Sequence, residues 1–169
     1  GKLDYHDALT DRLRRLCGSG DVPHLLFYGP SGAGKRTRAA ACLREIFGPG
    51  VEKLKVDHRV FKVGQQKKEV ELTTVSSSAH IEVNPSDAGE TNDCLVVQEV
   101  IKEIAASAPL EAAATARRAP FKVVLLHEVD QMSRLAQQAL RRTMEKYTRT
   151  CRIFMIADSA TRVIEPLRS

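Results

Sequence analysis

The chain has 169 residues and a formal net charge of +5, with 43% hydrophobic and 28% charged residues. This balance is typical of a globular domain that buries a sizeable core. Because no apolar run approaches the ~18 residues that a membrane span needs, the sequence predicts no membrane partner. The moderate positive charge is compatible with an anionic partner such as nucleic acid, but an ordinary basic protein carries the same charge.

The four cysteines, Cys17, Cys42, Cys94 and Cys151, are scattered along the chain and form no C-x-x-C pair or Cys/His cluster. The sequence therefore predicts no zinc site. We expect Cys42 and Cys151 to be buried free thiols, which is typical of a reducing compartment such as the cytosol or nucleus. Since the chain begins with Gly1 and not with Met, we expect it to be an excerpt of a longer or processed protein.

The first half of the chain alternates between helical and strand-like patterns. The predicted elements, in order, are an amphipathic helix over 4–17, a strand over 24–28, a helix over 35–47 and a β-hairpin over 54–75 with its turn at 64–68. Glycines in the segment GPG at 48–50 end the second of these helices.

The second half continues the alternation. A strand is predicted over 80–84, and Asn92 or Asp93 can cap a helix whose apolar face is Val96, Val97, Val100, Ile101 and Ile104. The low-complexity segment 108–120 predicts a loop, and strands are predicted over 121–126 and 152–157. Between them a helix is predicted from Ser133 to Tyr147. Six of its residues are predicted to face the core: Leu135, Ala139, Leu140, Thr143, Met144 and Tyr147. This order predicts an α/β fold with a mostly parallel sheet.

The segment GPSGAGKRT has the pattern of a phosphate-binding loop between a strand and a helix. Glycines let consecutive N–H groups face one anion, and the positive end of the helix dipole adds to the attraction. Lys35 would reach the β- and γ-phosphates. The candidate nucleotide-binding residues are Gly29, Pro30, Ser31, Gly32, Ala33, Gly34, Lys35, Arg36 and Thr37.

Two positions that normally bind magnesium have lost their oxygen ligands. Arg36 follows the loop lysine where a Ser or Thr hydroxyl is usual, and Thr37 comes one residue too late. In the segment VVLLHEVD, His127 stands where an acid is usual, although Glu128 keeps the position that activates water. The sequence therefore predicts weak or absent Mg²⁺ binding, no other metal, and a doubtful catalytic role for Glu128.

Three further charged residues have two interpretations each. Asp158 follows the last strand, where a polar residue usually senses the γ-phosphate, but it can also be a simple turn residue. Arg141 and Arg142 lie on the outer face of their helix, where they either face solvent or contact a neighbouring subunit.

Four segments together resemble one family: PHLLFYGPSGAGK, EVNPSDAG, FKVVLLHEVDQM and ALRRTMEKY. They are similar to the small subunits of the replication factor C clamp loader, of the AAA+ class, and most similar to the subunit group numbered 3, or 5 in some lineages. The resemblance runs from LDYH near the start to PLRS at the end.

The resemblance implies an AAA+ core that binds ATP or ADP within a hetero-pentamer in the nucleus. That assembly loads a sliding clamp on primer–template DNA, which this class would contact through the phosphate backbone. It also implies a sensor position at Asp158, where the family commonly has Asn, and a subunit interface at Arg141 and Arg142. Residues 1–169 would be a truncated core without the last sheet strand, the lid domain and the collar domain.

Two other functions remain as alternatives. An active AAA+ ATPase of another DNA-remodelling or chaperone type would favour a hydroxyl at position 36 and an acid at position 127, and the chain has neither. A small P-loop kinase would favour an arginine-rich acceptor lid, whereas the Ala-rich 108–120 segment contributes Arg117 and Arg118 alone. We expect this subunit's own hydrolysis to be weak or absent.

Overall fold

The computed structural model describes residues 23–30, 34–48, 54–89, 92–106 and 121–168. Within these ranges six strands form one sheet: β1 Leu25–Tyr28, β2 Lys55–Val63, β3 Lys68–Ser76, β4 His80–Val83, β5 Lys122–Leu126 and β6 Cys151–Ala157. The helices there are α1 Lys35–Phe47, α2 Asp93–Ala106, α3 Arg134–Lys146 and the short α4 Glu165–Arg168. Three 3₁₀ turns accompany them at Pro85–Ala88, Val129–Gln131 and Ala160–Arg162.

The sheet is mixed and mostly parallel, in the order β1-β6-β5-β4-β3-β2. Strands β1, β6, β5 and β4 run parallel, as the alternation of strands and helices predicted. The predicted hairpin is also confirmed, with β2 and β3 antiparallel and β3 pairing with β4. The hairpin therefore extends the central sheet at one edge.

Two hydrophobic clusters pack on opposite faces of the sheet. On one face α1 places Ala39 and Leu43 against Phe154 and its neighbours from β1 and β5. On the other face α2 and α3 cover the sheet, with Val97 and Leu140 fully buried. Because both faces of β5 and β6 are covered, these strands are continuous apolar runs.

The predicted inward position of Leu135 is wrong, since this side chain is 72% exposed. The buried stripe of α3 runs through Ala136, Leu140 and Met144, and Leu135 lies about 140° from its centre at 100° per residue. Gln137, on the opposite flank, is buried instead. Its amide donates to the carbonyls of Met132 and Arg162 and accepts from the N–H of Ile164.

Helices α2 and α3 are tied together at their N-termini. Ser133 caps α3 by accepting from the N–H of Ala136 at 3.1 Å. Asp93, at the start of α2, is 1% exposed and accepts from both the N–H and the hydroxyl of Ser133. The buried carboxylate thus fixes where α3 begins, after the 3₁₀ turn that follows β5.

Two predicted elements, the helix over 4–17 and the loop over 108–120, lie outside the described residues. Among the residues that are described, no helix is long and apolar enough to cross a membrane. Cys42 and Cys151 are buried free thiols, as expected, and burial raises the pKa of Cys151 to about 12.

The carboxyl ends of the parallel strands meet at one edge of the sheet. The N–H of Gly29 donates to the carbonyl of Ala157 at 3.3 Å, and the N–H of His127 donates to that of Val83 at 3.0 Å. This edge therefore gathers the residues that follow β1, β4, β5 and β6.

Candidate nucleotide-binding site

The predicted phosphate loop lies between β1 and α1, the context that this motif requires. Gly29, Pro30 and residues 34–37 are described, whereas Ser31, Gly32 and Ala33 lie outside the described residues. Gly34 has φ 83°, a left-handed conformation that glycine adopts without strain, and α1 begins at the next residue.

The start of α1 suits a phosphate group. Gly34 carries no side-chain oxygen that could cap the first-turn N–H groups, and that turn has no acidic residue. The helix dipole and the ammonium of Lys35 add positive charge at the same place. The described residues of the loop therefore fit a bound nucleotide phosphate.

Lys35 is buried, with 7% of its side chain exposed, and its ammonium has two partners. It donates to the carbonyl oxygen of Gly29 and forms an ion pair with Asp158, which follows β6. Asp158 is itself 62% exposed. The structure thus brings the predicted sensor residue directly to the predicted phosphate-binding lysine.

Arg36 and His127 converge on Glu82, a carboxylate in β4. Nη2 of Arg36 lies 3.5 Å from Oε1 of Glu82, and Nε2 of His127 lies 3.0 Å from the same oxygen. His80 contacts the other oxygen, Oε2, at 3.0 Å. We refer to Glu82, His80, His127 and Arg36 as the Glu82 cluster.

The Glu82 carboxylate is buried but remains ionised. Burial on its own raises its pKa, yet hydrogen bonds from His127 and His80 outweigh this effect and lower the pKa to about 2. The hydroxyl of Ser77 lies 2.5 Å from Nδ1 of His80, so it can donate there while Nε2–H of His80 donates to Glu82. The cluster is therefore a hydrogen-bonded network in which both oxygens of the negatively charged Glu82 have partners.

The residues present do not fit a magnesium ion. Magnesium needs oxygen ligands, whereas the residues at the two sequence positions where such ligands are usual are Arg36 and His127, whose nitrogens contact Glu82. Thr37 is exposed on the next position of α1. Across the described parts of the chain, no group of three or more His, Cys, Asp or Glu side chains could hold a metal ion.

Glu128 is the surviving acid of the VVLLHEVD segment. It has φ 52°, and its carboxylate accepts from Nδ2 of Asn84 at 2.6 Å and from the hydroxyl of Ser86 at 3.3 Å. Both partners follow β4, so the loop after the neighbouring strand holds this exposed carboxylate. Asp130 is buried and accepts from the N–H of Ser159 at 3.2 Å, which links the end of β5 to the end of β6.

Arg141 and Arg142 are exposed on α3, as predicted. Nη2 of Arg141 lies 3.6 Å from Oε1 of Glu145 one turn later. Both arginines line a groove of about 890 Å³ between α3 and the segment 161–168. The groove also carries Arg134, Arg162 and Arg168.

Two site residues were missed by sequence reasoning. Glu82 lies in the strand HIEV, where an acid between apolar residues signals a buried charge that needs a partner. Asn84 follows that strand and contacts Glu128 across the parallel edge. Both residues lie beside the end of β5 because β4 pairs with β5 in the register Glu82↔Leu125, which the sequence alone does not give.

The chain belongs to the AAA family, described as the ATPase family associated with various cellular activities, whose model matches residues 25–169. The phosphate loop, the strand order and the acid motif after β5 all agree with this class.

Its curated relatives include replication factor C subunits. The chain is 52% identical over 169 residues to replication factor C subunit 3 of Homo sapiens, covering 100% of this chain and 46% of the relative. It is 51% identical over 168 residues to a probable replication factor C subunit 3 of Dictyostelium discoideum, covering 99% of this chain and 47% of the relative. It is 48% identical over 167 residues to replication factor C subunit 5 of Schizosaccharomyces pombe, covering 99% of this chain and 45% of the relative.

The chain therefore spans about half the length of the curated relatives it matches. Among solved structures, it resembles a DNA polymerase III gamma subunit-related protein of Thermotoga maritima, with a TM-score of 0.55 and 12% sequence identity. That alignment covers 94% of this chain and 42% of the other. At this identity the likeness concerns the fold alone.

Proposed function

We propose that this chain is the nucleotide-holding core of a clamp-loader subunit, which binds ADP or ATP without needing magnesium and hydrolyses ATP weakly or not at all. The observation that carries the proposal is the convergence of Arg36 and His127 on Glu82. In this arrangement nitrogen donors and one neutralising carboxylate stand where a magnesium site would be.

In this proposal, the segment Gly29–Thr37 holds the nucleotide phosphates. Lys35 and the first-turn N–H groups of α1 provide the anion contacts. A bound nucleotide would supply the negative phosphate groups that these positive contacts attract. Efficient phosphoryl transfer uses a metal to neutralise developing charge, and the Glu82 cluster does not provide a site for one.

The assembly and its partners follow from the relatives. Because the relatives in Homo sapiens and Schizosaccharomyces pombe are named replication factor C subunits, we propose that the whole protein works in a nuclear hetero-pentamer during DNA replication. Its other partners would be a sliding clamp and primer–template DNA. Contacts to DNA would be made to the backbone and would weaken as salt increases. Arg141 and Arg142 support a subunit interface, since they line a basic groove on an exposed helix face.

Restoring the two missing oxygen ligands tests this proposal. In the double variant Arg36→Thr/His127→Asp, we expect magnesium to tighten ATP binding by at least ~10-fold, because hydroxyl and carboxylate ligands replace two nitrogen donors. The wild-type chain should bind ATP with nearly the same affinity in magnesium and in chelator. Titration calorimetry in both buffers measures the difference.

A matched control makes the same chemical changes elsewhere. Arg149→Thr/His58→Asp alters charge identically at two exposed positions remote from the loop, so it should bind as the wild type does. If magnesium already tightens ATP binding to the wild-type chain by as much as in the double variant, the proposed metal-independent site is wrong. Thermal unfolding of both variants checks that they fold.

A further inference from the structure

We propose that His127 takes up a proton when nucleotide binds, so that the affinity of the site for nucleotide rises as pH falls. The inference rests on the proposed function, in that the nucleotide phosphates must bind at Gly29–Thr37. It adds a regulation of that site by pH and the residue that carries it.

The first step concerns the charge balance at the phosphate loop. Lys35 is paired with Asp158, and Nη2 of Arg36 lies 3.5 Å from Oε1 of Glu82. Both cations therefore already have an anionic partner. A terminal phosphate adds roughly −1.5 to −2 charges at neutral pH. Because the described residues offer no ligand set for a metal ion, a side chain that gains a positive charge beside the loop would strengthen binding.

The second step concerns the position of His127. Its N–H donates to the carbonyl of Val83 at 3.0 Å, which holds it at the edge of the sheet where the strands end. Its Nε2 lies 3.0 Å from Oε1 of Glu82, the same oxygen that Arg36 approaches from the first turn of α1. The imidazole is thus one carboxylate away from the start of the helix that would hold the phosphate. Its side chain is 23% exposed, so water can deliver a proton to it.

The third step separates His127 from the other histidines that the structure describes. An imidazole is the side chain that ordinarily changes its charge between pH 5 and 8. His80 is 2% exposed, and its Nδ1 lies 2.5 Å from the hydroxyl of Ser77, which can donate to it. His24 precedes β1 at the opposite edge of the sheet, and His58 lies on β2. His127 is therefore the described histidine best placed to exchange a proton with water beside the loop.

The charged groups around His127 come from α1, β4, its own segment and the end of β6. Glu82 on β4 and Glu128 in its own segment are carboxylates, and Asp158 after β6 is held in its ion pair at the loop. Arg36 on α1 opposes a second positive charge at Oε1 of Glu82. Its side chain is 67% exposed, so it can turn towards a bound phosphate and leave this oxygen to a protonated His127.

The test measures proton uptake by titration calorimetry of the 169-residue chain with ADP in EDTA at pH 7. The titration is done in Tris and in PIPES, because the two buffers differ in heat of ionisation and the difference in binding heat gives the number of protons taken up. We expect the wild type to take up at least ~0.3 proton per ADP more than His127→Gln, whose amide can donate a hydrogen bond but does not titrate. Protons carried by ADP itself enter both measurements and cancel.

The affinity should follow the same linkage. Between pH 6 and pH 8 the affinity of the wild type for ADP should fall at least ~4-fold more than that of His127→Gln. A matched control is His58→Gln, which makes the same change at an exposed position on β2 and should keep the wild-type proton uptake.

The outcomes separate the two proposals. If the wild type and His127→Gln take up the same number of protons, the role assigned to His127 is wrong and the nucleotide site stands. If the wild type does not bind ADP, or Lys35→Ala binds it normally, the proposed function fails and the proton uptake fails with it. Since His127 is partly exposed, its substitution should leave the fold intact, which thermal unfolding checks. His127→Asn provides a second variant without the imidazole.

Discussion

Replacing Lys35 with alanine is expected to weaken nucleotide binding by at least ~100-fold, because charge-assisted hydrogen bonds to phosphate are among the strongest polar contacts. The side chain is buried and its ammonium lies at the start of α1, so the backbone N–H groups would be left as the main contacts. Calorimetric titration with ADP measures the loss.

Replacing Lys35 should lower the free energy of unfolding only slightly. Its partner Asp158 is largely exposed and can return to water when the ammonium is removed. A matched control is Lys62→Ala, which removes an exposed lysine from β2 and should not change binding. Normal ADP binding by Lys35→Ala would mean that the loop is not the nucleotide site.

Replacing Glu82 with glutamine is expected to destabilise the chain by about 2–3 kcal/mol at pH 7. Both oxygens of Glu82 accept N–H groups, Oε2 from His80 and Oε1 from His127. A glutamine amide has one acceptor oxygen, so its NH₂ group must face one of these donors. His80 is 2% exposed and cannot turn to water instead. Urea denaturation measures the change in the free energy of unfolding.

The cost of Glu82→Gln should depend on pH. The folded-state pKa of Glu82 is about 2, below its ordinary value of 4.5, so its charge stabilises the fold above pH 4.5 and loses this effect as pH falls towards 2. Between pH 7 and pH 4 the difference in the free energy of unfolding between wild type and variant should narrow by about 1 kcal/mol. The reason is that Glu82 takes up a proton in the unfolded state over this range.

A matched control for this pH dependence is Glu71→Gln, which changes an exposed acid on β3. We expect its free energy of unfolding to stay within about 0.5 kcal/mol of the wild type at both pH values. If Glu82→Gln unfolds as the wild type does at pH 7, the contacts of His80 and His127 with Glu82 do not stabilise the fold.

Much of the fold could be predicted from the sequence because its periodic signals are strong. The continuous apolar run FKVVLL marks a strand covered on both faces, and residues 122–126 form one. The alternation in 54–75 marks a hairpin, and β2 and β3 form it. Leu135 was misplaced because its apolar side chain suggested burial, although the period of the helix puts it on the side opposite the buried stripe.

The candidate site was harder to predict because its contacts cross between strands. The sequence shows that Arg36 and His127 are not magnesium ligands, but it does not show that both meet Glu82, which lies 46 and 45 residues away in the chain. The parallel pairing of β4 with β5 brings His127 beside Glu82, and Arg36 reaches the same carboxylate from α1. The ion pair between Lys35 and Asp158 likewise depends on β1 lying beside β6.

Metal-independent nucleotide binding is tested most directly by calorimetric titration of the wild-type chain with ADP and ATP, first in magnesium and then in EDTA, while released phosphate is measured in the same samples. If binding does not depend on a metal, the affinities should agree within ~3-fold between the two buffers, and little or no phosphate should be released. Tight binding that requires magnesium, accompanied by turnover of ATP, would contradict the proposed metal-independent site.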